Sequence, residues 1–224
     1  MSIAITLENV SIRLKDAVLV PPLSATVAPG EVLTVMGPSG SGKSTLLAFI
    51  GGFLDPVFEA KGQVLLGDRE VTALPAEARG IGILFQDDLL FPHLSVGSNL
   101  AFGLSPAVRG RSLRSERVAA ALASAGLAGF EDRDPATLSG GQRARASLMR
   151  SLLAEPKALL LDEPFSKLDQ ALREEFRAFL FAYLADRQLP MILVTHDPAD
   201  AQAAGGRVID LGAEPSSFVA GAAP

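Results

Sequence analysis

Residues Gly37-Pro38-Ser39-Gly40-Ser41-Gly42-Lys43-Ser44-Thr45 satisfy the pattern G-x-x-x-x-G-K-[ST], and every residue type in it suits contact with phosphate. Glycines let a backbone wrap an anion and turn successive N–H groups inward. Lys43 adds a mobile positive charge, Ser44 a hydroxyl fit for Mg2+, and a helix starting here aims its positive end at the same group. The apolar run Val32-Leu33-Thr34-Val35-Met36 before the loop reads as a strand, and Leu46-Leu47-Ala48-Phe49-Ile50 behind it reads as a helix. Average residue usage makes a chance match in a chain of this length on the order of one in a hundred. The chemistry expected is capture of a nucleotide's phosphates.

A second segment, Leu138-Ser139-Gly140-Gly141-Gln142, precedes a run whose apolar residues Ala144, Leu148, Met149, Leu152 and Leu153 recur at helical spacing. Ser139 is the expected N-cap, and the two glycines leave the first N–H groups of that helix open to an anion. Such a helix start alone is weak evidence. Its weight comes from four more segments: Gln86 after the apolar strand Ile81-Gly82-Ile83-Leu84-Phe85; Ala158-Leu159-Leu160-Leu161-Asp162-Glu163; Ser166-Lys167-Leu168-Asp169; and Thr195-His196-Asp197 after Met191-Ile192-Leu193-Val194.

In order and spacing these six segments resemble those of the nucleotide-binding subunit of ATP-binding cassette (ABC) transporters, from about Ile3 to Leu211. The resemblance implies an α/β P-loop NTPase: a mainly parallel sheet core, an N-terminal antiparallel β part and an inserted helical subdomain. It implies ATP with Mg2+, the metal touched by Ser44, Gln86 and Asp162. It also implies a homodimer in which Gly37 to Thr45 of one copy and Ser139, Gly140, Gly141 and Gln142 of the other sandwich each ATP. Lys43, Gln86, Glu163 and His196 are then the catalytic set, with Gln86 also sensing the transmembrane partner. Physical reasons run alongside. Asp162 at the end of a buried strand is costly as a lone charge, so a metal–water shell suits it. Glu163, one residue on, can take a proton from the water attacking the γ-phosphate. A lone histidine after a strand is often a satisfied core group, but the position of His196 favours a bond to the γ-phosphate.

The stretch from Phe85 to Leu104, with Leu90-Phe91-Pro92-His93-Leu94-Ser95-Val96 at its centre, is similar to that of bacterial importers of iron, thiamine, polyamines, molybdate and sugars. There it forms a groove for a short helix of the membrane subunit, and His93 reads as interface. Two readings of Phe91 and Leu94 stand: exposed socket for that helix, or core of the helical subdomain. The implied partners are an integral membrane permease and a periplasmic or extracellular substrate-binding protein, with no nucleic acid. Two departures stand out. The family's adenine-stacking aromatic is replaced by Leu14, so either Leu14 or the Arg13 guanidinium must meet the base, and ATP and GTP are expected to be poorly distinguished. Lys167 stands where a small residue is usual, and an acid across the dimer is its expected partner.

Composition bounds the reading. Adding the 21 glycines to the 48% apolar residues takes the chain to about 57%, above the roughly 45–50% of ordinary domains, which points to extra buried surface or a greasy partner. No apolar run reaches the roughly 18 to 20 residues needed to span a bilayer, and Met1-Ser2-Ile3 opens into a strand-like segment without a basic leader. The expected location is cytoplasmic, peripheral at the inner face of the membrane through the permease. The absence of cysteine removes disulfides and thiol chemistry. A net charge of −5 argues against a nucleic-acid grip, and Arg109-Gly110-Arg111-Ser112-Leu113-Arg114 reads as a solvated helix face.

The motif order predicts one domain, with a core of residues 1–86 and 155–211, a helical subdomain of 87–153 and a loose tail of 213–224. Helices are expected over Ser95 to Phe102, Ser112 to Ala125 and Gly140 to Leu153. The extra C-terminal β-domain of many sugar importers is expected to be absent. Soluble ABC-type ATPases working on nucleic acid or ribosomes carry coiled-coil insertions or tandem cassettes, neither of which is visible. An exporter subunit would share the same chemistry, and Glu163 and His196 speak against a non-hydrolysing switch.

Overall fold

The computed structural model describes residues 3–212. In chain order its elements are β1 (Ile5–Leu14), β2 (Ala17–Val27), β3 (Val32–Met36), α1 (Lys43–Gly51), β4 (Glu59–Leu66), β5 (Arg69–Glu70), α2 (Ala76–Arg79) and β6 (Ile81–Leu84). There follow α3 (Val96–Phe102), α4 (Arg111–Ser124), α5 (Gly140–Leu152), β7 (Ala158–Asp162), α6 (Gln170–Ala185), β8 (Met191–Val194), α7 (Pro198–Ala204) and β9 (Arg207–Asp210). They gather into two compact units, one of residues 3–81, 157–163 and 184–212, the other of 82–156 and 164–183. The tail expected to be loose, 213–224, lies outside the described residues. No helix among the described residues is long and apolar enough to cross a membrane.

The first unit carries both kinds of sheet expected. An antiparallel sheet runs in the order β2-β1-β4-β5. In β1, Ile5 and Leu7 alternate inward, then the register shifts between Leu7 and Val10, where Asn9 takes a φ of +50° and donates its N–H to Ser24 Oγ at 2.9 Å. That bulge keeps Val10 and Ile12 buried despite the broken alternation. At the hairpin end Leu14 pairs with Ala17 and is half-buried, while the exposed Arg13 donates to the carbonyl of Asp16 at 3.3 Å. Of the two candidates for the base, Arg13 is therefore tied to the turn.

The second sheet of this unit is parallel, with β7, β8, β3 and β9 in that order. Leu159, Leu160 and Leu161 of β7, Ile192, Leu193 and Val194 of β8, and Leu33 and Val35 of β3 are fully buried. Continuous apolar runs are what a parallel strand covered on both faces requires. Val194 pairs with Val35 on one side and Asp162 on the other, so the carboxyl ends of β3, β8 and β7 finish level. In open sheets of this kind ligands bind outside those ends. Helix α1 packs on β7 and buries Leu46, Leu47, Phe49 and Ile50, each side chain contributing roughly 1.5–3 kcal/mol.

The second unit is built on α3, α4 and α5, which bury Val96, Leu100, Val118, Leu122, Leu148 and Met149. Ser95 caps α3 by accepting the N–H of Ser98. Asn99, fully buried, accepts the N–H of Phe91 at 2.7 Å and reaches the carbonyls of Phe91, Leu94 and Ser95, so one amide shapes the whole 91–95 turn. Phe91 and Leu94 are half-buried, whereas Phe85 (37%), Leu89 (54%) and Phe102 (70%) of this region are exposed. Phe91 meets Phe102 edge to face, with ring centroids 4.9 Å apart, which is why only one of the two rings stays open. The basic run is also only partly solvated: Arg109 and Arg111 are exposed, whereas Arg114 donates to the carbonyls of Val108 and Ala101.

Candidate functional site

Level strand ends place the first set of chemical groups together. Residues Gly37 to Gly42 leave β3 and enter α1 at Lys43. Gly37, Gly40 and Gly42 have φ values of +143°, +81° and +90°, backbone shapes that side-chain-bearing residues rarely adopt. Pro38, Ser39 and Gly40 are exposed at the loop's crest. Gly42, at the N-cap, offers α1 no side-chain cap, and no acid occupies the first turn. The first N–H groups of α1 are thus left to an outside acceptor, and an anion matches both them and the dipole. Ser41 Oγ is buried without a hydrogen-bond partner inside the same loop. Lys43 is 6% exposed and donates Nζ to the carbonyls of Gly37 at 2.8 Å and Pro38 at 2.9 Å, spanning the loop it would share with phosphate. Ser44 is exposed and Thr45 half-buried in the first turn.

Ser44 Oγ donates to Asp162 Oδ1 at 3.2 Å. Burial lifts the Asp162 carboxyl above its ordinary range; the neighbouring Glu163 charge lifts it further, against the Ser44 hydroxyl and the Lys43 charge. A group held this way gains from a divalent cation. Among the described residues no cluster of three or more His, Cys, Asp or Glu could hold a metal. A hydroxyl and one carboxylate fit Mg2+, which keeps waters and takes substrate phosphates as its other ligands.

Glu163 follows directly, with its N–H on the carbonyl of Val194 at 2.9 Å and a φ of +46°. That left-handed shape costs a glutamate roughly 1–3 kcal/mol and is found mostly where function demands it. Its Oε1 lies 3.2 Å from Nδ1 of His196. His196 is 61% exposed at the end of β8, on a turn fixed from inside: buried Thr195 donates its hydroxyl to Asp200 at 2.9 Å and accepts the N–H of Asp197 at 3.1 Å. Gly37 to Thr45, Asp162, Glu163 and His196 therefore converge within the first unit.

The other predicted residues belong to the second unit. Ser139 caps α5 with a full capping box: its Oγ accepts the N–H of Gln142 at 3.3 Å, and the Gln142 side chain accepts the N–H of Ser139 at 3.0 Å. Gln142 thus shapes the helix start with its side-chain oxygen. Gln86 is exposed just past β6. Sequence reasoning missed how that segment is held. Along one face of α5, Arg143 pairs with Asp88 at 2.7 Å, Ser147 donates to Asp88 O, Arg150 to Leu89 O, and Ser151 to Ile83 O. The i, i+4, i+7, i+8 spacing of these polar residues was the available signal. Lys167 does not wait for an acid in another copy: it pairs with Asp87 of its own chain, next to Gln86.

A substitution separates fold from chemistry here. Replacing Asp162 by Asn removes a carboxylate that burial disfavours, while an oxygen remains for Ser44. Because the folded carboxyl is raised, its ionisation weakens the fold as pH climbs through its folded range. The melting temperature of nucleotide-free D162N at neutral pH is expected to rise by about 2–4 °C, roughly what 1 kcal/mol is worth in a chain of this size, and the difference should vanish in acid. Metal-dependent turnover should collapse in the same variant. A lower melting temperature in differential scanning calorimetry would show the carboxylate to be a structural group.

Known proteins are similar to this chain along most of its length. The sequence profile of the ABC transporter family matches residues 20–166. The chain is 48% identical over 196 residues to the ABC transporter ATP-binding protein YnjD of Escherichia coli (strain K12), covering 88% of this chain and 90% of that one. It is 45% identical over 185 residues to the thiamine import ATP-binding protein ThiQ of Cereibacter sphaeroides, covering 83% and 79%. To the sulfate/thiosulfate import ATP-binding protein CysA of Mycobacterium bovis it is 41% identical over 208 residues, 93% of this chain but 58% of that longer protein.

Proposed function

We propose an import cycle for this chain, which belongs to the ABC transporter family and is its ATP-hydrolysing subunit, coupled to transport. Two copies close on two ATP molecules, each held by Gly37 to Thr45 of one copy and by Ser139, Gly140, Gly141 and Gln142 of the other. The observation that carries the reading is the convergence of Lys43, Ser44, Asp162, Glu163 and His196 at the ends of three parallel strands. Loop N–H groups and Lys43 grip the phosphates. Ser44, Asp162 and Gln86 would hold Mg2+, which when bound neutralises phosphate charge. Glu163 accepts a proton from the water that attacks the γ-phosphorus as the bond to ADP breaks. His196 donates a hydrogen bond to the γ-phosphate and keeps Glu163 aimed. Repulsion between the products then reopens the pair.

Import, rather than export, is supported by the relatives named for uptake of thiamine and of sulfate or thiosulfate. The permease would seat a short helix on the second unit, where Leu89 and Phe102 are exposed. A cavity of about 610 Å3 lies in the same unit, lined by Ser98, Ala101, Arg114, Val118 and Glu131 among others. A substrate-binding protein outside the membrane would deliver the solute, and the chain itself would work at the cytoplasmic face.

Complementation tests the shared site. Ser139→Asp keeps the helix cap but places a negative charge where phosphate should dock. Mixed with a Lys43→Ala copy, it leaves one intact composite site in each mixed dimer. The mixture is expected to hydrolyse ATP although neither variant does so alone. A mixture as inactive as its components would refute the sharing.

A further inference from the structure

Arg79 is an arginine with only 6% of its surface exposed. Its Nε donates to the carbonyl of Leu74 at 2.9 Å, Nη1 to those of Phe49 at 2.7 Å and Ile50 at 2.8 Å, and Nη2 to that of Thr72. Burial pushes this guanidinium below its ordinary value, so hiding it carries a cost that four carbonyls must offset. Phe49 and Ile50 belong to the last turn of α1, whose carbonyls carry the negative end of the helix dipole; that of Phe49 also accepts the N–H of Gly52 at 3.3 Å. The planar fork of arginine can hold two of them and two loop carbonyls at once, which an ammonium cannot. The chain even leaves room for it. Gly52 ends α1 with a φ of +86°, and a Cβ there would stand 2.4 Å from Arg79 Nε.

We propose that Arg79 is a positioning residue for nucleotide binding, clamping the C-terminal end of α1 so that its phosphate-facing N-terminal end keeps its register. The argument rests on the reading of Gly37 to Thr45 as the phosphate loop. Helix α1 has nine residues, a stiff rod of about 13 Å. Freedom at one end therefore reaches the other, and hydrogen bonds to phosphate weaken steeply with misalignment. The clamp binds α1 to Thr72 and Leu74, and Arg79 itself stands two residues before the strand that runs toward Gln86.

The test compares Arg79→Lys, Arg79→Gln and Gly52→Ala by equilibrium binding of ATP with Mg2+, each well below its own melting temperature. Each is expected to weaken binding about tenfold, with Lys giving no rescue. Gly52→Ala combined with Arg79→Gln should lose no more than one of them alone, because both act through the same seat. Gly52→Ala keeps the guanidinium, and so keeps the test open if the Arg79 variants fail to fold. Folded variants with lowered melting temperatures but parental affinity would reduce Arg79 to a structural prop and overturn the proposal. Lys43→Ala measured in parallel separates the two readings: affinity lost there but kept in the Arg79 and Gly52 variants sinks only the clamp, while affinity kept in all of them sinks the phosphate loop itself.

Discussion

Changing Glu163 to Gln will stop turnover while leaving ATP bound, and will trap the protein as a dimer. The amide has the shape of the carboxylate and still bonds to His196, so the 3.2 Å contact has no steric reason to break. What it lacks is basicity. A positioned general base contributes about 10²–10⁴-fold, and hydrolysis by E163Q is expected to fall by that factor. Removing the charge beside Asp162 also relieves repulsion toward the γ-phosphate, so affinity should hold or improve. The unusual φ of +46° gives a further check, because Gln keeps the same backbone burden and the variant should melt with the parent. Size-exclusion chromatography with ATP should show a dimer that the parent populates only briefly. A variant hydrolysing at nearly the parental rate would remove Glu163 from the role of base.

Much of this site could be read from the sequence because its parts are local. The strand, glycine loop and helix around Lys43 lie in one continuous segment, and Ser139 with Gln142 three residues later writes its own capping box. Helix limits followed for the same reason: α3 and α5 match the expected spans to within a residue at each end. What could not be read depends on distant partners. Arg79 looks like a surface charge in Pro75-Ala76-Glu77-Ala78-Arg79, yet its main acceptors are 29 and 30 residues upstream. Lys167 finds Asp87 eighty residues away, which no spacing rule connects. Phe91 and Leu94 were ambiguous because periodicity cannot tell which ring of an edge-to-face pair will be covered, and here Phe102 is the one left outside. The grip of α5 on Asp88 and Leu89 belongs with these cases, since polar residues at helical spacing read equally well as a solvated face.

Replacing Lys43 by Ala should weaken ATP binding by about 100-fold or more. Hydrogen bonds between charged groups are worth roughly 1.5–3 kcal/mol each, and a lysine meeting two phosphates makes more than one. In the structure its ammonium lies on the carbonyls of Gly37 and Pro38, so meeting phosphate would exchange weak neutral acceptors for strong anionic ones. On the proposed reading that exchange supplies the affinity, and it makes a second effect expected. Without the two ties the loop loses its internal brace, and the nucleotide-free variant should lose some protection from amide exchange between Gly37 and Gly42 while the rest of the fold is unchanged. Titration calorimetry with ATP and Mg2+ reads the first effect, and hydrogen exchange the second. Because the anion charge supplies the gain, the loss should shrink as ionic strength rises and screening erodes the parental advantage. Affinity equal to the parent at low salt would mean that Lys43 serves only the loop's own carbonyls and that phosphate is held elsewhere.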